Sequence, residues 1–217
     1  MHTSRLIQSV AAFGMLFGVT QIVHADLISN GSFESGIYAP PNNDTMSLSI
    51  GATNITGWTV VSDEIAWIGP SSPWSLTAST GDFFIDLTGH SFGSPFGGVS
   101  QTVSTTPGQT YQLSFDLGSS NLYGRPSAIL ASAGSTSSIF TSALTGGNSD
   151  WQSFMLLFTA SSTSTTISLT GNVGQHYIGL DNVAVNAVTP VPEPASYVMM
   201  LVGLGLLGFV VRRKHGA

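Results

Sequence analysis

The sequence predicts an all-β fold, an antiparallel sandwich of short strands, and three observations carry that prediction. Large apolar residues recur at every second position, as Tyr111, Leu113, Phe115 and Leu117 and again as Phe154, Leu156 and Phe158. That is the period of a strand with one buried face. Turn signals such as Asn30-Gly31 and Pro107-Gly108 divide these runs, as they do in sandwiches and barrels. Thr, Val, Ile, Phe and Tyr recur between residues 26 and 190, with no convincing helical pattern there. These residue types suit a pleated, half-buried surface.

In chain order, Leu27 to Glu34 reads as a short strand with a turn at Asn30-Gly31, and Ser35 to Asn54 as a long loop rich in Gly, Pro, Asn and Asp. Ile55 to Val61, containing Trp58, and Glu64 to Ile68, containing Trp67, are the next strands. Pro70 to Gly81 is a loop with Trp74 inside it. Phe83 to Leu87 is a strand, Gly89 to Gly98 a Gly-rich loop, and Val99 to Ser104 a strand before the Pro107-Gly108 turn. The run from Tyr111 to Leu117 follows, then Ala128 to Ala131, Trp151 to Thr159, Thr165 to Leu169 and Tyr177 to Val185. These about ten strands form one domain over residues 26–185, with a core of ordinary size for its length. Asn186 to Ser196 is a linker that Pro190, Pro192 and Pro194 keep extended.

Both ends carry export signals. Arg5, the apolar run Leu6 to Val23 and the small-residue site Val23-His24-Ala25 predict a signal peptide over residues 1–25, cut between Ala25 and Asp26. At the other end, residues 197–217 combine an apolar run from Tyr197 to Val211 with Arg212, Arg213 and Lys214, three of the five basic residues in the chain. A helix from Ala195 to Val211 would span roughly 26 Å, enough for a single transmembrane helix with snorkelling ends. The basic cluster places its C-terminus in the cytoplasm. Gly203, Gly205 and Gly208 match a dinucleotide-binding spacing, but no strand precedes them and no acidic residue follows. They are small residues of a membrane helix.

The order of Pro192-Glu193-Pro194, one short apolar span and terminal Arg212 and Arg213 resembles the PEP-CTERM sorting signal of Gram-negative bacteria. The resemblance implies that an exosortase in the membrane recognises and cuts the tail. On the residues alone a simple stop-transfer anchor is the alternative.

Composition narrows the function. Cysteine is absent, which removes disulfides, thiol nucleophiles and thiolate metal sites. Between Asp26 and Pro190 there are ten acidic residues and one basic residue, Arg125. Phosphate backbones require Lys and Arg, so nucleic acid is excluded as a partner.

Several motifs of the domain resemble the choice-of-anchor C family, which is related to a plant cell-wall family of unknown function. They are Asn30-Gly31-Ser32-Phe33-Glu34, Ile55-Thr56-Gly57-Trp58, Gly81-Asp82 with Ile85-Asp86-Leu87, Gly98 to Thr102, Pro107 to Tyr111, and Leu180-Asp181-Asn182-Val183. More distantly they resemble carbohydrate-binding modules, and this implies a galactose-binding-like jelly roll with polysaccharide as ligand. It also implies a structural Ca²⁺ with Glu34 and Asp181 as side-chain ligands, since calcium takes six to eight oxygens. The alternative is that Glu34 caps a turn and Asp181 accepts backbone hydrogen bonds at a bulge.

Trp74, Tyr38 and Tyr123 fall in loops and are the candidates for an exposed aromatic contact with a sugar. Trp58 and Trp151 sit on or beside periodic strands and are expected in the core. Asp82 and Asp86 are expected to cap turns rather than to act as a hydrolytic pair. The expected protein is therefore an exported, non-catalytic polysaccharide-binding module, the alternative being a structural or adhesive matrix protein that binds other proteins.

Overall fold

The structure is a computed structural model that describes residues 26–73, 76–89, 94–120, 126–142, 150–174, 177–188, 199, 201–205 and 212. Eleven strands form among them: β1 (Thr45–Leu48), β2 (Thr59–Val61), β3 (Ile65–Ile68), β4 (Phe84–Asp86), β5 (Gly98–Ser104), β6 (Thr110–Ser119), β7 (Ala128–Ala133), β8 (Thr136–Thr141), β9 (Asp150–Thr159), β10 (Ser164–Val173) and β11 (Gly179–Ala187).

They build two antiparallel sheets, ordered β1-β3-β4-β11-β6-β9 and β2-β5-β10-β7-β8. From β4 onward the chain changes sheet at every step except the β7–β8 hairpin. The eight strands β4 to β11 therefore interlock as the double-sheet jelly roll. Alternation supplies the core between the sheets. Leu113, Phe115 and Leu117 of β6 meet Leu180, Val183 and Val185 of β11, facing Val99, Ile129, Ile167 and Leu169 of the other sheet, all fully or nearly buried.

Three elements differ from the sequence expectation. The segment from Leu27 to Glu34 is a series of turns, with Asn30 and Phe33 left-handed at φ 55° and 60°. It is held on β11 by Leu27 N–H to Val185 O and Val183 N–H to Gly31 O, both 2.9 Å. A Cβ on Gly31 would lie 1.8 Å from Val183 O, so the approach requires glycine. β1 lies inside the expected loop of residues 35–54; it is four residues long and gains its order by pairing with β3. β8 is not among the expected strands because Thr136-Ser137-Ser138 carries no apolar alternation. Its pairing is set by the turn at Gly134, at φ 59°, which places Ala133 opposite Thr136.

The loop between β3 and β4 packs back on the outer face of the six-stranded sheet. Leu76 joins Ala66, Ile68, Phe84 and Tyr177 in a second, smaller apolar cluster, with Ala78 and Trp151 against it. This loop shapes the site. Among the described residues no helix is long and apolar enough to cross a membrane.

Candidate functional site

The outer face of the six-stranded sheet follows from strand parity. On β9, Leu156 and Phe158 are buried, so Trp151, Ser153, Met155 and Leu157 point outward. Register aligns them with the outward positions of β6: Trp151 with Gly118, Ser153 with Asp116, Met155 with Ser114 and Leu157 with Gln112. Next to these, β11 contributes Gly179, Asp181, Ala184 and Asn186. Met155 and Leu157 are 61% and 56% exposed. The strip from Trp151 to Leu157 is roughly 20 Å long at the rise of an extended strand.

Trp151 lies across glycine backbone. A Cβ on Gly118 would come 2.8 Å from its ring, and one on Gly179 would meet both Leu76 at 2.8 Å and the ring at 2.9 Å. Its indole N–H donates to Thr77 O at 2.8 Å, and Phe84 meets the ring edge-on at 5.6 Å between centroids. The ring stays half-buried, and one side of it borders the covering loop. That loop holds a cavity of about 290 Å³, lined by residues that include Gly69, Leu76, Thr77 and Asp82.

Carboxylates hold the same loop down. Asp181 Oδ2 accepts from the N–H groups of Ser79 and Thr80, both at 2.8 Å, and Oδ1 accepts from Asn182 N–H at 2.6 Å and, weakly, from Thr80 Oγ1 at 3.5 Å. Asp116 lies opposite Asp181 in register and accepts from Ser79 Oγ at 2.7 Å, Ser153 Oγ at 2.6 Å and Asn182 Nδ2 at 3.2 Å. Asp181 sits where the register of β11 shifts, and Asn182 beside it is left-handed at φ 51°, as expected at a bulge. Burial pushes the Asp181 carboxyl up to about 7 against the pull of its N–H donors, and Asp116 pushes the same way. Burial likewise raises Asp86 on β4 to about 7, although Thr88 and Ile178 donate to it.

Glu34 reaches the other end of the covering loop, its Oε1 accepting from Asp82 N–H at 3.0 Å and Phe83 N–H at 2.9 Å. Glu34 and Asp181 therefore both grip the segment from Ser79 to Phe83, one at each end. Among the described residues no three His, Cys, Asp or Glu side chains are grouped to hold a metal ion. The four acceptor positions of a carboxylate are all used in Asp181, so a calcium ion ligated there would displace a donor.

The aromatic candidates separate. Tyr38 is half-buried against Trp67 and Phe83, both at 4.9 Å, with its hydroxyl donating to Asp44 at 3.1 Å. Burial and then that carboxylate hold its pKa far above the usual phenol range. Trp74 and Tyr123 lie outside the described residues, as do Ala25, Pro192, Glu193, Pro194 and Arg213; Asp26 and Arg212 are described. Trp58 is in the core as expected, whereas Trp151 is on the outer face. The odd-even count from Phe154, Leu156 and Phe158 carries that signal. Asp116 has the same signal, standing between Phe115 and Leu117.

Residues 26–186 match the family described as "Protein of unknown function (DUF642)" and residues 190–214 the PEP-CTERM protein-sorting motif. A comparison with curated proteins found no match. Among solved structures, the chain is similar to one described as "CBM4 structure and function", at 19% identity over 74% of this chain and 99% of that one, with a TM-score of 0.41. A family 35 carbohydrate binding module from Clostridium thermocellum matches at 15% identity over 66% and 99%, TM-score 0.42. The CBM22-1 xylan-binding domain of a Paenibacillus barcinonensis protein matches at 13% over 70% and 100%, TM-score 0.42.

Proposed function

The chain belongs to the DUF642 family of unknown function and carries a PEP-CTERM sorting motif, and on that premise we propose that it is an exported, exosortase-sorted, non-catalytic polysaccharide-binding protein. The observation that carries the binding reading is Trp151. It lies on the outer face of the six-stranded sheet at the head of a strip that continues through Ser153, Met155 and Leu157 beside Gln112, Ser114 and Asn186. A sugar ring offers an apolar C–H face and a rim of hydroxyls. Aromatic and thioether surface takes the first, and amide, hydroxyl and carboxylate groups take the second. The support for a non-catalytic role is that Asp116 and Asp181 are 6% and 0% exposed and engaged in holding a loop.

The sorting motif at residues 190–214 gives the route in this proposal. The chain crosses the inner membrane, is held transiently by its C-terminal helix until the exosortase acts, and reaches the cell surface or extracellular matrix. A structural calcium at Glu34 and Asp181 is a separate part of the proposal, in which the ion takes the place of one of the donors that Asp181 now holds.

Affinity electrophoresis of the full chain through gels containing the host's exopolysaccharide tests the binding reading. Retardation that Trp151→Ala abolishes, with the fold intact by circular dichroism, supports it. Unretarded migration moves the assignment to a protein-binding surface component.

A further inference from the structure

Charge around the outer face bears on which polysaccharides it takes. Asp116, Asp181 and Asp86 all lie on outward positions of adjacent strands, with Asp181 opposite Asp116 and Gly179 opposite both Gly118 and Asp86. Each carboxylate is held by neutral donors: backbone N–H groups, the hydroxyls of Ser79, Ser153, Thr80 and Thr88, and the Asn182 amide. The other polar groups of the strip, on Gln112, Ser114, Ser153, Asn182 and Asn186, are likewise neutral, and those of Ser153 and Asn182 are exposed. Glu34 and Asp82 lie at the far end of the covering loop. Among the described residues from 26 to 188 there is no lysine or arginine, and the sequence supplies one arginine in that stretch against ten acidic residues.

A uronate or sulfate group placed on this face would therefore meet buried carboxylates and, among the described residues, no cation, and like charge across a contact suppresses binding. From this we infer that the face selects uncharged polysaccharides and rejects anionic ones, with Asp116 and Asp181 as the specificity-determining residues. This inference rests on the polysaccharide-binding reading above. Being buried, the carboxylates act through the field they impose rather than through contact, and that field decays over the Debye length.

The test pairs three neutral polysaccharides, a glucan, a xylan and a galactan, each with its carboxymethylated form, against the full chain in affinity gels. The expected result is at least one neutral backbone bound about tenfold or more tighter than its anionic form. The gap should narrow as salt rises from about 0.01 M to about 1 M, where the Debye length falls from about 30 Å to about 3 Å. Ser153→Lys, which sets a cation beside Asp116, should strengthen binding of the carboxymethylated partner. Equal or tighter binding of an anionic form at low salt overturns the inference and leaves the binding reading standing. Binding to none of the six, together with free migration in the host polysaccharide, overturns both.

Discussion

Asp116 and Asp181 face each other across β6 and β11, and Ser79 is bonded to both, through its hydroxyl to one carboxylate and through its backbone N–H to the other. One serine thus ties the covering loop to two strands. Adjacent carboxylates with no counter-ion among the described residues are tolerable because seven neutral donors meet them; leaving such donors or acceptors unmet in a buried site costs about 1–3 kcal/mol each.

Stability should fall with rising pH. The carboxyls of Asp181 and Asp86 are raised to about 7 by burial, whereas an unfolded aspartate titrates near 3.9. Between these values the folded state binds more protons than the unfolded chain. Their contribution is complete below about pH 4 and lost as pH passes through about 7. The effect is on the order of a few kcal/mol, a fall in Tm of roughly 5–10 °C. Thermal denaturation from pH 4.5 to 8.5 measures it. Asp86→Asn should flatten the profile and be the more stable protein at pH 8.

Gly179→Ala should displace Trp151. Its Cβ would press into Leu76 and the indole ring together, and overpacking of this kind costs about 1–3 kcal/mol. Because the indole N–H to Thr77 is lost when the ring moves, residues 76–80 should become sensitive to protease and the tryptophan emission should shift to the red. A variant with unchanged emission and proteolysis would show that the ring is not seated on the glycines.

Gly31→Ala is expected to be far more damaging. A methyl at 1.8 Å from the Val183 carbonyl forces the N-terminal turns off β11, removing the bond from Val183 N–H. The loss should exceed about 4 kcal/mol, in the range reserved for strain and broken buried networks, and read out as a collapse of soluble yield or of Tm.

Calcium makes a specific demand. If Glu34 and Asp181 ligate it, chelation by EDTA lowers Tm by several degrees, and the amide signals of Ser79 and Thr80 shift as Asp181 exchanges a donor for the ion. An unchanged Tm assigns both carboxylates to the loop alone.

Much of the sandwich is written in local pattern. The parity of Tyr111 to Leu117 and of Phe154 to Phe158 fixes which faces of β6 and β9 are buried, and the same parity, carried back to Trp151, places that ring outside. The site is less legible because its contacts are long-range. Ser79 finds Asp181 across 102 positions and Asp82 finds Glu34 across 48, and no periodicity within either segment encodes the meeting. The family motifs point to Glu34 and Asp181, but their shared partner is the loop of residues 70–83, which carries no periodic apolar pattern. β8 is hard to read from the sequence for another reason: hydroxyl-rich strands at a sheet edge need little hydrophobic contrast when a tight turn sets their register.

Asp26 accepts from Val185 N–H, and Val188 N–H donates to Thr110 O, so the domain begins and leaves off at one pole, while Gly118 and Trp151 lie roughly 27 Å away at the rise of β6. For anyone mounting the domain on a bead, chip or fusion partner, attachment through either terminus is equivalent. In both cases the Trp151 pole stands clear of the support.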